Sequence, residues 1–111
     1  MNKQQIIDKT GSFHDLLIKS LRNPEKAEAY LQVALDEYQE DANAETFLLA
    51  LRNVAEANGG MGDLAKKTDL NRQNLYHTLS RKGNPRLNTL GSILNGLGFH
   101  LEIARNQQSS N

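Results

Sequence analysis

The stretch TDLNRQNLYHTLSRKGNPR, residues 68–86, carries side chains whose chemistry matches the edges of DNA bases. An arginine can donate two hydrogen bonds to guanine, and an asparagine or a glutamine can pair in the same bidentate way with adenine. The positions that are free to face outward here are Asn71, Arg72, Gln73, Asn74 and His77. Their types and their placement on one short pattern predict a helix suited to reading DNA from its polar side.

The elements around this stretch fit the same task. Residues 62–67 predict a short helix, residues 68–70 a tight turn, and Asn71 the N-cap of a second helix with Leu75 and Leu79 directed inward. Two short helices joined by a tight turn can place the start of the second helix in the major groove while the first crosses the backbone. We therefore predict a helix-turn-helix, closed by turn residues at 82–85.

Three helices are predicted upstream of this unit, each from a capping residue and an apolar stripe. The first opens at Ser12, the second at Asn23 with Pro24 in its first turn, and the third at Asn43 with a stop at 59–60. Their expected inward positions are Phe13, Leu16, Leu17 and Leu21 in the first helix, Ala27, Tyr30, Leu31, Ala34, Leu35 and Tyr38 in the second, and Phe47, Leu48, Leu51, Val54 and Ala55 in the third.

Downstream, the pattern predicts one more helix and then a strand. The helix has Leu87, Leu90, Ile93, Leu94 and Leu97 as inward positions and ends at Gly98. Residues 98–104, GFHLEIA, alternate between apolar and polar side chains, which is typical of a β-strand. A single strand needs partners for its backbone groups, so we expect pairing with a second subunit or with a partner protein. The alternative is a strand that packs on its own helices with water along its edges.

The chain of 111 residues fits one compact domain with an aliphatic core, since aromatic residues make up only 5% of it. We expect a flexible arm at 1–11, a helical region at 12–58 that packs on the core, a helix-turn-helix region with the C-terminal strand at 59–104, and a disordered tail at 105–111. The expected fold class is all-α, with one short C-terminal β-strand.

A formal net charge of zero hides an asymmetry between the two halves of the chain. Residues 1–58 hold six Lys and Arg against ten Asp and Glu, whereas residues 59–111 hold seven Lys and Arg against three Asp and Glu. The second half, which contains the predicted helix-turn-helix, is therefore suited to a polyanion. The acidic first half is suited to a basic partner, or it keeps the protein in solution.

Several classes of function are disfavoured by what the sequence lacks. There is no cysteine, and His14, His77 and His100 are not spaced to share one helical face, so we expect neither a metal site nor a cofactor. Catalytic motifs and phosphate-binding glycine loops are missing as well, and we expect a protein that is not an enzyme. No signal-peptide pattern or membrane span is found, which predicts a cytoplasmic protein.

The run LAKKTDLNRQNLYHTLSRKGNPRLNTLGSILNGLGFHLEI resembles the helix-turn-helix of the lambda-repressor-like (Xre/Cro) superfamily, and within it the HigA-type addiction module antidotes. The resemblance is carried by Leu64-Ala65, Asn71-Arg72, Leu75-Tyr76, Gly83-Asn84-Pro85-Arg86, Leu87-Leu90 and Leu97-Gly98. It extends upstream through LRNPEKAEAYLQVAL and FLLALRNVAEANGGM and covers about residues 16–104.

The resemblance implies a lambda-repressor-like bundle, and it also implies roles for individual residues. Carried over by position, Asn71, Arg72, Gln73 and His77 would read bases, and Asn74, Arg81, Lys82 and Arg86 would bind phosphates. Two positions depart from the family pattern. Met61-Gly62 stands where many relatives have a phosphate-binding Gln or Thr, and Asp69 stands where the wider superfamily has a turn glycine.

The expected function is a homodimeric, sequence-specific repressor that binds a double-stranded DNA operator. By resemblance, it is also the antitoxin of a HigBA-type module, with a RelE/ParE-like toxin as its partner. Two alternatives stay open: a prophage-type regulator that has no toxin partner, and a protein-interaction module that only neutralises a basic toxin.

Overall fold

A computed structural model describes residues 13–107, and this part of the chain is helical. The helices are α1 (13–20), α2 (Pro24–Asp41), α3 (Glu45–Ala57), α4 (Gly60–Thr68), α5 (Arg72–Thr78) and α6 (Leu87–Gly96). The expected all-α class is confirmed at this level. The predicted arm at 1–11, the capping residue Ser12 and the last four residues of the predicted tail lie outside the described residues.

Asparagine side chains lie at the starts of three helices, and Asn23 and Asn71 are the N-caps that the sequence predicts, whereas Ala44 takes the N-cap position predicted for Asn43. Asn23 Oδ1 accepts a hydrogen bond from the Lys26 backbone N–H at 3.1 Å, ahead of Pro24, the first residue of α2. Asn71 Oδ1 accepts one from the Asn74 N–H at 2.7 Å at the start of α5. Asn43 Oδ1 accepts one from the Glu45 N–H at 2.9 Å, one residue before the N-cap position of α3. Each bond satisfies a donor that the helix itself cannot pair.

The core is aliphatic and centres on α3. This helix buries Leu51, Val54 and Ala55 completely, because it packs on α2 on one side and on α4 on the other. The single buried polar side chain among the described residues, Asn53, donates a hydrogen bond from Nδ2 to the Tyr30 hydroxyl at 2.9 Å. That bond ties α3 to α2, and it offsets the cost of burying an amide.

Two glycines connect α3 to α4 in a way that periodicity did not predict. Gly59 has φ 107° and Gly60 has φ 86°, which are backbone conformations that favour glycine. The sequence predicts a stop at these residues and a new helix from Gly62, whereas α4 already begins at Gly60. The left-handed turn ends one helix and starts the next without an intervening loop, so α4 gains about half a turn.

A three-residue connection joins α4 to α5. Asp69 takes φ 60°, the left-handed conformation that a glycine would adopt easily and that aspartate tolerates. The Thr68 hydroxyl donates to the Leu64 carbonyl at 2.9 Å and accepts from the Leu70 N–H at 3.3 Å. Leu70 packs partly buried against the core. The short connection thus has a defined conformation, which orients α5 relative to α4.

Gly83 allows the chain to turn closely past the end of α5. A Cβ atom added at this position would lie 1.8 Å from the Thr78 carbonyl oxygen, which no side chain could tolerate. The Gly83 N–H donates to the Ser80 carbonyl at 2.9 Å and closes the turn. The residues that follow lead to Arg86, the N-cap position of α6.

Four positions predicted to face inward are largely exposed: Phe13 at 68%, Leu16 at 61%, Tyr38 at 41% and Leu87 at 74%. Each lies near a helix end or on a short helix, where there is no neighbouring element to cover it. Leu21, just after α1, is buried as predicted, and the buried position within α1 is Ile18, which was not predicted. The spacing of apolar residues predicts which side of a helix is apolar. It does not predict how far the neighbouring helix that covers this side extends.

The predicted C-terminal strand is absent from the described part of the chain. The Phe99 N–H donates to the Leu94 carbonyl at 2.8 Å, and Phe99 packs against the core. Residues 100–105 then make no backbone hydrogen bond to another described residue. A strand requires a second extended segment beside it, and the helical fold offers none within 13–107. The alternating side chains leave Leu101 42% exposed and Ile103 fully exposed.

Candidate nucleic-acid interface

Helix α5 presents its polar residues on the surface and its leucines to the core. Leu75 and Leu79 are buried almost completely against α4 and the remaining core. Burial of a leucine contributes about 1.5–3 kcal/mol, so these two side chains fix the position of the helix. The outward side is polar along its whole length, and the exposed residues on or beside α5 are Asn71, Arg72, Gln73, Asn74, Tyr76 and His77.

The four residues predicted to read bases all lie on this exposed side of α5. Gln73 and His77 make no side-chain hydrogen bond or ion pair to another residue in 13–107, so their polar groups face solvent. Asn71 uses its carbonyl oxygen as the helix cap, which leaves its amide N–H groups available to donate. Arg72 is the first residue of α5, and its guanidinium lies against Gly62 of α4.

The four residues predicted to bind phosphates lie at both ends of α5 and in the turn after it. Asn74 sits in the first turn of the helix, and Lys82 and Arg86 are exposed without an ion pair in the described residues. Arg81 differs, because its Nε lies 3.3 Å from Glu45 Oε2 at the start of α3. Its side chain is nevertheless 85% exposed, so this pair is a weak surface interaction.

Residues on α4 add a smaller positive contribution. Lys66 and Lys67 stand in the last turn of α4, where cations complement the negative end of the helix. Lys67 also pairs with Asp63 one turn earlier, at 3.0 Å. Met61 is buried, with 8% of its surface exposed. It stands at the position where the sequence resemblance leads us to expect a polar phosphate ligand. Its side chain therefore serves the core, and that particular contact is missing here.

An open cleft of about 580 Å³ lies where the starts of α4 and α5 meet the outer side of α3. The side chains that give it chemical character are Arg52, Arg72, Tyr76, His14 and Glu56. The Arg52 guanidinium carbon stands 5.8 Å from the centre of the Tyr76 ring, a distance suited to a cation–π contact. His14 Nε2 is 3.4 Å from Glu56 Oε2.

Sequence reasoning did not predict this cleft. Arg52 belongs to the acidic half of the chain and stands 24 positions before Tyr76, so no local pattern connects the two. The sequence offered only one signal for it: Arg52 is the single cation of α3, ETFLLALRNVAEA, and it stands at an outward position. Only the packing of α3 beside α4 and α5 brings it next to the polar side of α5.

No group of three or more His, Cys, Asp or Glu side chains within 13–107 is arranged to hold an ion. In the same range, no helix is both long and apolar enough to cross a bilayer.

Comparison with known proteins identifies a family and a relative. Residues 10–105 match the family model described as "Probable addiction module antidote protein". An uncharacterized protein of Haemophilus influenzae strain Rd is 28% identical over 81 residues, which cover 73% of this chain and 82% of that protein. No solved structure matches the chain significantly.

Proposed function

The chain belongs to the family of probable addiction module antidote proteins, and on that premise we propose that it is an antitoxin that also represses transcription by binding operator DNA. The family description supports the antitoxin part of the proposal and says nothing of DNA. The DNA-binding part depends on the chemistry and placement of α5. The two activities are compatible in one chain, because they use different surfaces.

One observation carries the DNA-binding proposal. A short helix presents amide, guanidinium and imidazole groups on one exposed side while its opposite side is fixed by two fully buried leucines, Leu75 and Leu79. Base readout needs such groups in a defined position, since each hydrogen bond to a base edge depends on its geometry. We infer that α4, the turn and α5 form a lambda-repressor-like helix-turn-helix with α5 in the major groove.

In this arrangement the site residues divide into two groups. Asn71, Arg72, Gln73 and His77 read bases, and Asn74, Arg81, Lys82 and Arg86 bind phosphates on either side of the groove. Arg81 must release Glu45 to do so, and an exposed ion pair of this kind contributes no more than about 1 kcal/mol. The loss is small compared with the gain from a phosphate contact.

We further propose that the protein binds DNA as a homodimer joined through its C-terminal segment. Residues 100–105 lack backbone partners within the described chain and expose Leu101 and Ile103. Antiparallel pairing of two copies centred on Leu101 would place Phe99 opposite Ile103 of the partner subunit and His100 opposite Glu102 of the partner subunit. Apolar side chains would then meet each other, and imidazole would meet carboxylate. Two copies of α5 would occupy half-sites about 34 Å apart on a near-palindromic operator.

The toxin partner is proposed from charge. Helix α2 is exposed along one side and acidic there, with Glu25, Glu28, Asp36, Glu37, Glu40 and Asp41 all on the surface. A small basic toxin of the RelE/ParE-like kind would be attracted to this side and steered towards it. We place this function in the cytoplasm, where the protein would meet both operator DNA and such a toxin.

Co-purification followed by DNA binding tests the proposal as a whole. The chain is expressed with the product of its neighbouring gene, and binding sites are selected from random-sequence DNA with the chain alone and with the complex. We expect a stable complex and enrichment of a near-palindromic sequence. Failure to enrich any sequence, with binding that does not respond to salt, would refute the repressor part.

Two alternatives give different results in the same experiment. A prophage-type regulator with no toxin partner would enrich an operator without forming a complex with the neighbouring product. A module that only neutralises a basic toxin would form the complex and enrich no sequence. No structural observation favours either alternative over the combined function.

A further inference from the structure

The cleft between α3 and the starts of α4 and α5 shares only Arg72 with the base-reading and phosphate-binding roles assigned above, and its other lining residues have no role so far. Its wall contains two guanidinium groups, Arg52 and Arg72, and neither forms an ion pair with a carboxylate in residues 13–107. Glu56 also lines the cleft, but its Oε2 lies 3.4 Å from His14 Nε2 and not on either arginine. Both guanidinium groups are therefore available to donate charge-assisted hydrogen bonds to an anion.

Arg52 lacks a carboxylate partner although one is available by spacing. Glu56 stands four residues later on α3, at the distance where helical ion pairs usually form. In the structure Glu56 Oε2 is instead 3.4 Å from His14 Nε2 of α1, and Arg52 lies over the Tyr76 ring of α5. The ring holds the guanidinium toward α5 without neutralising its charge.

The position of the cleft decides which anion it would meet. Arg72 lines the cleft and is also the first residue of α5, so the cleft opens beside the base-reading side of that helix. The Arg72 guanidinium packs against Gly62 of α4. A Cβ atom added at Gly62 would lie 3.6 Å from Arg72 Cζ. A DNA strand that follows the groove past α5 would carry its phosphates along this edge.

We propose that Arg52, held by the Tyr76 ring, binds one phosphate of the DNA backbone in this cleft. This inference rests on the proposed DNA-binding function and extends the interface to α3, outside the helix-turn-helix. It assigns Tyr76 a positioning role, since the ring would act on the phosphate only through the arginine that lies over it. Arg52 would then contact the same DNA strand that passes the neighbouring Arg72.

Salt dependence and phosphate mapping test this inference on a duplex selected with the wild-type chain. Arg52→Ala should weaken binding about five- to tenfold at low salt, uniformly across sequences. It should also reduce the slope of log affinity against log salt by about 0.9 for each protomer on the DNA. Arg52→Lys should keep most of the slope, because the charge stays. Tyr76→Leu should weaken binding while keeping most of the slope, because it frees the arginine without removing it.

A matched control and a direct map make the result specific. Arg22→Ala removes an exposed arginine that does not line the cleft, and it should leave affinity and slope near those of the wild type. In ethylation interference, the wild type should show one phosphate per half-site whose modification no longer matters in Arg52→Ala. All variants are first compared by thermal unfolding, since exposed substitutions should leave the fold intact.

The outcomes separate this inference from the function on which it depends. A wild-type chain that selects no DNA overturns both. A wild-type chain that binds its duplex while Arg52→Ala keeps the same slope and the same interference pattern overturns the phosphate contact alone. A loss of affinity in Arg52→Ala without any change in slope would assign Arg52 to packing on α5, which also contradicts the proposal.

Discussion

Arg72 lies where the proposed base-reading side of α5 meets the cleft that Arg52 lines. Its place at the start of α5 predicts a base reader, and its guanidinium lies against Gly62 at the edge of the cleft shared with Arg52. To reach a base edge, the side chain must rotate away from α4. Gln73 and His77 need no such movement, because they already face solvent.

Alanine substitution at the base-reading positions gives the first prediction. Arg72→Ala or Gln73→Ala should cost about 1–3 kcal/mol of binding free energy at one operator position and relax the preference there. The measurement is competition binding against a set of single-base operator variants. Lys82→Ala serves as the comparison, since loss of a phosphate contact weakens all sequences alike. An unchanged preference in both Arg72→Ala and Gln73→Ala would contradict the groove assignment.

The turn after α5 provides a second prediction at the scale of one residue. Gly83→Ala should lower the free energy of unfolding by about 2 kcal/mol or more. The new methyl group would collide with the Thr78 carbonyl oxygen. The measurement is urea unfolding followed by circular dichroism.

Gly91→Ala is the matched control for Gly83→Ala. Gly91 lies inside α6, and a Cβ atom there would meet nothing within 4 Å. Removing a glycine from a helix interior should stabilise the protein by about 0.5–1 kcal/mol. Equal effects at the two positions would mean that the close approach at Gly83 is not maintained in solution.

At the scale of elements, the caps separate stability from DNA binding. Asn23→Ala and Asn71→Ala each remove one capping hydrogen bond and should each cost about 1 kcal/mol of unfolding free energy. Only Asn71→Ala should also weaken DNA binding, because only that cap starts α5 and belongs to the proposed base-reading side. Thermal unfolding and mobility shift, measured on both variants, check the two parts. Similar losses of DNA affinity in both would show that the caps act through global stability alone.

The sequence predicted the helices well where a cap and an apolar stripe coincide, as in α2 and α5. It failed where the answer depends on what lies next to an element. Phe13 and Leu87 follow the apolar period but have no neighbour to cover them, and Gly59-Gly60 ends one helix and begins another at the same point. Apolar periodicity describes one helix at a time, whereas the burial of a side chain and the boundary between two helices depend on both neighbouring elements.

The candidate site also has one part that the sequence could predict and one part that it could not. The residue types on the outward side of α5 could be predicted, because capping and burial within one short helix decide which side chains face outward. The Arg52–Tyr76 contact could not, because it joins helices that are distant in the chain and meet only through packing. The alternation in residues 98–104 likewise predicts an extended segment but cannot supply the second strand that it needs.

For the whole molecule, the C-terminal segment gives the fourth prediction. Ile103→Asp should shift the protein from dimer to monomer and weaken operator binding, because a carboxylate would replace an apolar group at the proposed interface. The side chain is fully exposed in the single chain, so the fold itself should not suffer. Sedimentation at several concentrations measures the oligomeric state.

Val33→Asp is the control for Ile103→Asp. Val33 is also an exposed apolar residue, but it lies on α2 and does not line the pocket that α2 shares with residues 99–101. Its replacement should leave the oligomeric state unchanged. A dimer that survives Ile103→Asp would exclude self-pairing through this segment.

The order of packing along the chain has a consequence for how the molecule opens and folds. Helix α2 packs mainly on α3, α3 on α4, and α4 on both α5 and α6, so most contacts join helices close in sequence. Topologies rich in local contacts fold quickly, within microseconds to milliseconds. Helix α2 stands at the end of this series, joined to α3 by apolar packing and by the bond from Asn53 to Tyr30. Its amide protons should therefore exchange with solvent by partial opening before those of α4, which packs on three other helices.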